Sequence, residues 1–162
     1  MIEMLRLDER LIHGQVATQW LKVLNVDSVI VADDHSAGNK MLRNALMLAA
    51  PKNLKTVVKS CQEAISILTD PRCKTKKVFV VTGKMEYLKQ IVSACDDIQT
   101  LVVGNYGCIN KEGVPRKKAA ETLFLTEAER NDLLQICECS FPSYYWEVPA
   151  KDKTDLKRCM KR

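Results

Sequence analysis

Three runs in this chain, VIVA (29–32), VFVVT (78–82) and LVVG (101–104), are apolar without a break. A strand with one face in water alternates apolar and polar side chains, so unbroken runs imply a sheet buried on both faces. Helices must then cover both sides, and the stretches between the runs have helical spacing. Val16, Trp20, Val23 and Leu24 follow the first strand, IEMLRLD (2–8). Met41, Leu42, Ala45, Leu46 and Ala49 follow SVIVADD (28–34), lie on one side of a helix and stop before Pro51. LKTVVKS (54–60) leads into CQEAISILTD (61–70), KKVFVVTG (76–83) into KMEYLKQIVSAC (84–95), and IQTLVVG (98–104) is a fifth strand.

Beyond a loop at 105–119, ETLFLT (121–126) is a brief strand, and Thr126 with Glu129 has capping-box spacing for a helix through Cys137. SYYWEV (143–148) is the final strand. Repeated right-handed strand–helix units define a single doubly wound α/β domain, with a mostly parallel sheet of about six or seven strands and helices on both faces. In such a sheet the chemistry lies at the carboxyl ends of the strands.

A length of 162 residues, 46% of them hydrophobic, suits one domain with an ordinary core and no need of covalent staples. The seven cysteines lack a disulfide framework and CxxC spacing, so free thiols and no structural metal are expected. Neither a signal peptide nor a membrane span is visible, and a soluble cytoplasmic protein is expected. The net charge of +5 is concentrated in PRKK (115–118) and a basic tail over 150–162, read as a solvated end. A non-catalytic binding or sensor module using those two segments is the alternative reading.

GxGxxG, the P-loop and GxSxG are all missing, which disfavours nucleotide cofactors and serine hydrolysis. Asp33 and Asp34 form an acid pair after the second strand, but Lys59 and Ser60 stand where a receiver domain would place its phosphoacceptor Asp. Only His13 and His35 are left as imidazoles, and His35 reads as a solvated loop residue.

DERLIHGQV (8–16) puts His13 between the first strand and the first helix. A largely neutral imidazole offers a lone pair that attacks phosphorus directly. Arg10 suits phosphate oxygens, Gly14 gives the backbone freedom, and the helix start near Gln15 attracts anions and discourages imidazole protonation. Asp8 either orients Arg10 or fixes the imidazole tautomer. A histidine that merely begins the helix fits the same spacing.

RLDERLIHGQV resembles the active-site string of IIB components of the mannose/sorbose family in the phosphoenolpyruvate-dependent sugar phosphotransferase system. Further similarities follow in order: VADD, AAP (49–51), GNYG (104–107), LFLTEAE and EVP, so the likeness spans 2–149. Gly38-Asn39 stands where an Asn-Asp pair is common in that family, and Asn105 to Cys108 replaces a glycine-richer string. The resemblance implies that His13 carries a phosphoryl group and Arg10 stabilises it, while Asp8, Gly14 and Gln15 shape the loop. It also implies a IIA donor, membrane IIC and IID partners that largely set sugar selectivity, a peripheral place beside the membrane, and no metal or nucleotide cofactor. Basic residues such as Arg10 and Lys84 are expected to meet acidic partner rims.

Overall fold

The computed structural model describes residues 1–109 and 111–161, apart from the side chains of Gln15, Val16 and Ala17. The strands are β1 (Ile2–Leu7), β2 (Ser28–Ala32), β3 (Lys55–Lys59), β4 (Val78–Thr82), β5 (Leu101–Val103), β6 (Lys117–Ala120), β7 (Leu123–Leu125), β8 (Ser143–Tyr145) and β9 (Thr154–Asp155). The helices are α1 (Gly14–Val23), α2 (Asp34–Ala37), α3 (Lys40–Ala49), α4 (Cys61–Thr69), α5 (Met85–Ala94), α6 (Glu127–Ile136) and α7 (Leu156–Met160).

Seven strands form one sheet in the order β3-β2-β4-β1-β5-β8-β9, parallel except for β9. The central β4 shows why the apolar runs are unbroken: every residue from Val78 to Thr82 is buried. One face packs against α4, α5, α6 and α7 through residues such as Ala64, Leu88, Ile91, Leu133 and Leu156. The opposite face packs against α1 through Trp20 and Leu21, and against α3 through Leu46 and Ala49.

These placements locate the functional edge. β1 and β4 are neighbours, yet α1 leaves on one face and α5 on the other. Their carboxyl ends therefore flank a topological switch point, where loops diverge and leave a crevice. The sequence 8–13 runs along it.

Three sequence expectations are corrected. The helix after the second strand begins only at Lys40, because Asn39 caps α3 by accepting from the Leu42 N–H at 3.1 Å, and the short α2 precedes it. Its apolar stripe is only partly core: α3 lies beside β3, the edge strand, and has too little sheet beneath it to cover Met41 and Leu48. The basic tail over 150–162 is not a solvated end. Thr154–Asp155 pairs with β8, and Leu156, Cys159 and Met160 are buried, since their i, i+3, i+4 spacing gives α7 one apolar face. PRKK runs into β6, which pairs with β7 in a separate two-stranded sheet that the sequence pattern did not reveal.

The paired acids after β2 serve as caps. Asp33 accepts from the N–H and hydroxyl of Ser36, and Asp34 accepts from the Cys61 N–H at 2.8 Å, tying α2 to the start of α4. Thr126 and Glu129 form the expected capping box of α6. Burial pushes the Cys61, Cys95 and Cys137 thiols up to about 11, so they remain protonated.

Candidate functional site

β1 ends by delivering a charge relay of alternate residues. Arg6 and Asp8 point the same way from the strand, as residues two apart must. Asp8 is fully buried, and its Oδ2 accepts from Arg6 Nη2 at 3.0 Å. The same carboxylate accepts from the Arg10 backbone N–H and Nε, both at 3.1 Å, and from Arg10 Nη2 at 3.2 Å. Asp8 thus orients Arg10 in a forked geometry and uses both of its oxygens in doing so. The alternative, that it fixes the imidazole of His13, has no hydrogen bond to support it among the described residues.

Arg6 is held from behind. It donates to the carbonyls of Trp146 and Glu147 at 2.9 Å each, and its guanidinium lies 5.2 Å from the centroid of the Trp20 ring. Trp20 and Trp146 meet edge to face at 4.6 Å. The chain after β8 therefore supports the loop after β1. Burial opposes the ionised form of Asp8, but the hydrogen bond from Arg10 and the charges of Arg6 and Arg10 outweigh it and hold the carboxyl below its ordinary range.

Between Asp8 and α1 the backbone turns sharply. The Leu11 N–H donates to the Asp8 carbonyl at 3.0 Å, and Leu11 takes φ +58°, a left-handed value that a γ-branched residue adopts at a cost. Gly14 has φ +37° with nothing within 4 Å of where a Cβ would be, so backbone conformation rather than space calls for glycine there.

His13 is the N-cap residue of α1, but its side chain makes no capping hydrogen bond. The reading in which it merely caps the helix is therefore not met. Both ring nitrogens lie out of contact with solvent and without a hydrogen-bond partner among the described residues, although the residue as a whole is part-exposed. Burial and then the charge of Arg10 pull its pKa below the ordinary histidine value, against smaller opposing effects of Asp8 and the Leu11 backbone. At neutral pH the imidazole is uncharged and keeps a lone pair free. Of the predicted site residues, His13, Arg10, Asp8 and Gly14 share this one loop; the side chain of Gln15 lies outside the described residues.

Two contributors carry little signal in the sequence. Glu9 accepts from the backbone N–H groups of Gly107 and Cys108 at 3.1 and 3.2 Å and from Asn105 Nδ2 at 3.3 Å, clamping the loop after β5 onto the loop after β1. Gly104, at the end of β5, lies flat against the buried pair: a Cβ there would approach Arg6 Cζ and Asp8 Oδ2 to 2.8 Å. Gly104→Ala is expected to lower stability by about 1–3 kcal/mol through overpacking, read as a drop in Tm. An unchanged Tm would mean the pair moves aside freely.

His35 is exposed on α2 and lines a crevice of about 490 Å³ together with Glu9, Leu11, Gly83, Lys84 and Ile109. It does not line up with His13, which is absent from that wall. Lys84 is exposed at the start of α5, with Nζ 5.5 Å from the Tyr87 ring centroid.

A doubly wound sheet with a histidine and a carboxylate-braced arginine at its switch point suits phosphoryl chemistry, and the class it falls in, phosphotransferase components that act through a phosphorylated residue, is shown by its family. Residues 2–162 match the family model of the sorbose-subfamily IIB component of the phosphotransferase system, and the chain belongs to that family. A probable phosphotransferase enzyme IIB component of Streptococcus pyogenes is 33% identical over 130 residues, 80% of each chain. The sorbose-specific EIIB component of Klebsiella pneumoniae is 33% identical over 64% of this chain and 63% of its own length. The mannose-specific EIIAB component of Escherichia coli K12 is 30% identical over 64% of this chain and 32% of its own length. Among solved structures, manxB of Thermoanaerobacter tengcongensis superposes with a TM-score of 0.87 at 26% identity, covering 100% of this chain and 96% of that one. The IIB domain of the Klebsiella pneumoniae sorbose permease has the same fold, with a TM-score of 0.88 at 24% identity over 99% and 96% of the two chains. No helix among the described residues is long and apolar enough to cross a membrane.

Proposed function

We propose that residues 1–162 act as one IIB phosphocarrier domain, in which His13 takes a phosphoryl group from a phosphohistidine of a IIA partner and passes it to a sugar held by membrane IIC and IID partners. The observation that carries this reading is the pairing of an uncharged imidazole at the start of α1 with a guanidinium that a buried carboxylate aims from two residues away in sequence. A relative whose name joins IIA and IIB supports IIA as the donor. The domain then works in the cytoplasm, beside the membrane partners.

In the first step the lone pair of one His13 ring nitrogen attacks phosphorus in line, and the phosphorus–nitrogen bond to the donor histidine breaks with its electron pair returning to the donor ring. In the second, a sugar hydroxyl attacks phosphorus, its proton leaves to a base on the membrane partner or to water, and His13 regains its lone pair. The transition state is loose, so the domain contributes position and charge. Arg10 supplies charge, and the unpaired N–H groups at the start of α1 supply further donors. Because the ring nitrogens are covered, acceptance requires the His13 side chain to rotate outward.

The test is incubation with phosphoenolpyruvate, the two general phosphotransfer proteins and a IIA partner, followed by mapping of the acid-labile label. Label on His13 supports the assignment; label on His35 overturns it. Arg10→Ala is expected to keep the fold, since the Arg10 head is partly exposed, and to slow transfer by about one to three powers of ten. A rate equal to that of the unaltered protein would remove Arg10 from the mechanism.

The alternative binding module loses its footing in the segments it invoked. Arg116 is paired with Glu129 at 2.6 Å, Lys118 with Glu121 at 3.3 Å, and α7 is packed into the core.

A further inference from the structure

Four of the seven large apolar side chains that stand exposed among the described residues belong to one ten-residue helix, α3. Met41 and Leu48 are each 80% exposed, with Met47 at 42% and Leu42 at 37%. Met41, Ala45 and Leu48 follow i, i+4, i+7 spacing, so they form one stripe along the helix, turned away from Leu46 and Ala49, which pack on the core. Clustered exposure of this kind marks a contact surface, whereas scattered exposure does not.

The charge around the stripe has one sign. From Asn39 to Gln62 the chain has no Asp or Glu but carries Lys40, Arg43, Lys52, Lys55 and Lys59. Lys40, Arg43, Lys52 and Lys55 are exposed, and none of them forms an ion pair among the described residues. The acids that bound the stretch, Asp34 and Glu63, stand at its two ends, where they accept from the Cys61 and Ser60 N–H groups. Lys22 and Val23, exposed at the end of α1, lie on the same side of the sheet.

We propose that the outer face of α3 docks on an anionic lipid surface, with Met41 and Leu48 entering the boundary between headgroups and acyl chains and the surrounding lysines meeting lipid phosphates. An apolar stripe edged by cations is the pattern of a helix that lies in a membrane interface, and lysine stems extend along the apolar zone while their ammonium groups stay among the headgroups. Each cation at such a surface strengthens association by about fivefold. A second copy of this chain fits poorly, because two basic faces would repel. The contact is separate from phosphoryl transfer: it uses no residue of the 8–14 loop, and it would hold the domain close to the bilayer.

The full chain is mixed with vesicles of phosphatidylcholine alone or with an equal share of phosphatidylglycerol, at low and high salt, and the bound fraction is read by co-sedimentation. Binding is expected only to the vesicles containing phosphatidylglycerol and is expected to weaken with salt. Met41→Gln combined with Leu48→Gln should lower the association constant at least tenfold, and Lys40→Gln with Lys52→Gln by about twenty-five-fold. Both variants change only exposed side chains, and unchanged circular dichroism checks the fold. The proposal is overturned by absence of binding, by binding that neither variant weakens, or by a self-association that Met41→Gln with Leu48→Gln abolishes. Phosphorylation by a soluble IIA partner should be unaltered in Met41→Gln with Leu48→Gln; its loss would assign the face to a protein partner and overturn the lipid reading. Failure of His13 to label would leave the vesicle result standing, so the two readings fail independently.

Discussion

His13→Ala is expected to abolish phosphoryl acceptance from a IIA partner, with loss of the acid-labile, alkali-stable label and a rate at background. The prediction is stringent because the neighbouring groups are poor substitutes: burial pushes the Cys108 thiol up, and it is engaged with Asn105 Oδ1 and the Thr122 carbonyl. Arg10 has no lone pair to give, Asp8 is fully buried with both oxygens committed to guanidinium groups, and His35 stands on α2 in the wall of a crevice that His13 does not share. Stability should change little or rise, since His13 leaves two buried ring nitrogens without partners, and removing an unsatisfied polar group relieves a desolvation cost. The lowered pKa of His13 adds a pH signature. Acceptance should fall in acid solution as the lone pair is taken by a proton, with its midpoint below the ordinary histidine value of about 6.5. Retained labelling in His13→Ala, or a rate that already declines above neutrality, would contradict the assignment.

The elements that were legible in the sequence are those whose pattern is set by the sheet. VFVVT and VIVA announce strands with two buried faces because β4 and β2 have neighbours on both sides and helices above and below. Trp20 and Leu88 fall on the inner faces of α1 and α5 for the same reason. The pattern misleads where its assumption of a covering partner fails. α3 has the amphipathic spacing of a core helix, yet it sits over an edge strand, so half of its apolar arc meets solvent. α7 misleads in the opposite direction: Leu156, Cys159 and Met160 stand in a tail with six lysines and arginines over 150–162, and net charge hides a short buried face.

The site divides along a similar line. His13, Arg10 and Gly14 are adjacent in sequence, and the loop that joins them is local, so their association is readable before folding is considered. Glu9 and Gly104 act across the sheet, through the loop after β5 and against the Arg6–Asp8 pair, and no local spacing encodes that. Asp8 lay between two readings because both Arg10 and His13 are within a few residues of it. Geometry separates them, since the carboxylate faces Arg10 through three hydrogen bonds and Arg6 through a fourth.

That arrangement makes Asp8 the residue whose neutralisation should cost most in stability and transfer together. The side chains of Arg6 and Asp8 are 3% and 1% exposed. Asp8→Asn would leave the Arg6 guanidinium buried with two carbonyl partners and no counter-charge, a change that typically costs about 3–5 kcal/mol. For a chain of this length that corresponds to a fall in Tm of roughly 10 °C. The partners lean in different directions: burial pulls the Arg6 pKa down in spite of Asp8, whereas Asp8 is held down on balance by its two guanidinium partners. We take the pair as compensation for a buried arginine rather than as a net source of stability, because breaking a buried pair costs far more than the pair itself is worth. The carboxyl of Asp8 is depressed in the folded state, so its contribution is complete above the ordinary carboxylate value of about 3.9 and is lost as pH falls through the lower folded value. Asp8→Asn should therefore flatten that part of the acid unfolding profile. Transfer should slow as well, because Arg10 keeps its charge but loses the fork that aims it. The combination Arg6→Met with Asp8→Leu separates the two effects: it removes both buried charges and should recover part of the lost Tm, less the cost of the freed Trp146 and Glu147 carbonyls, while transfer stays as slow as in Asp8→Asn. Recovery of transfer along with Tm would show that Asp8 acts only through folding and that Arg10 needs no carboxylate to find the phosphoryl group.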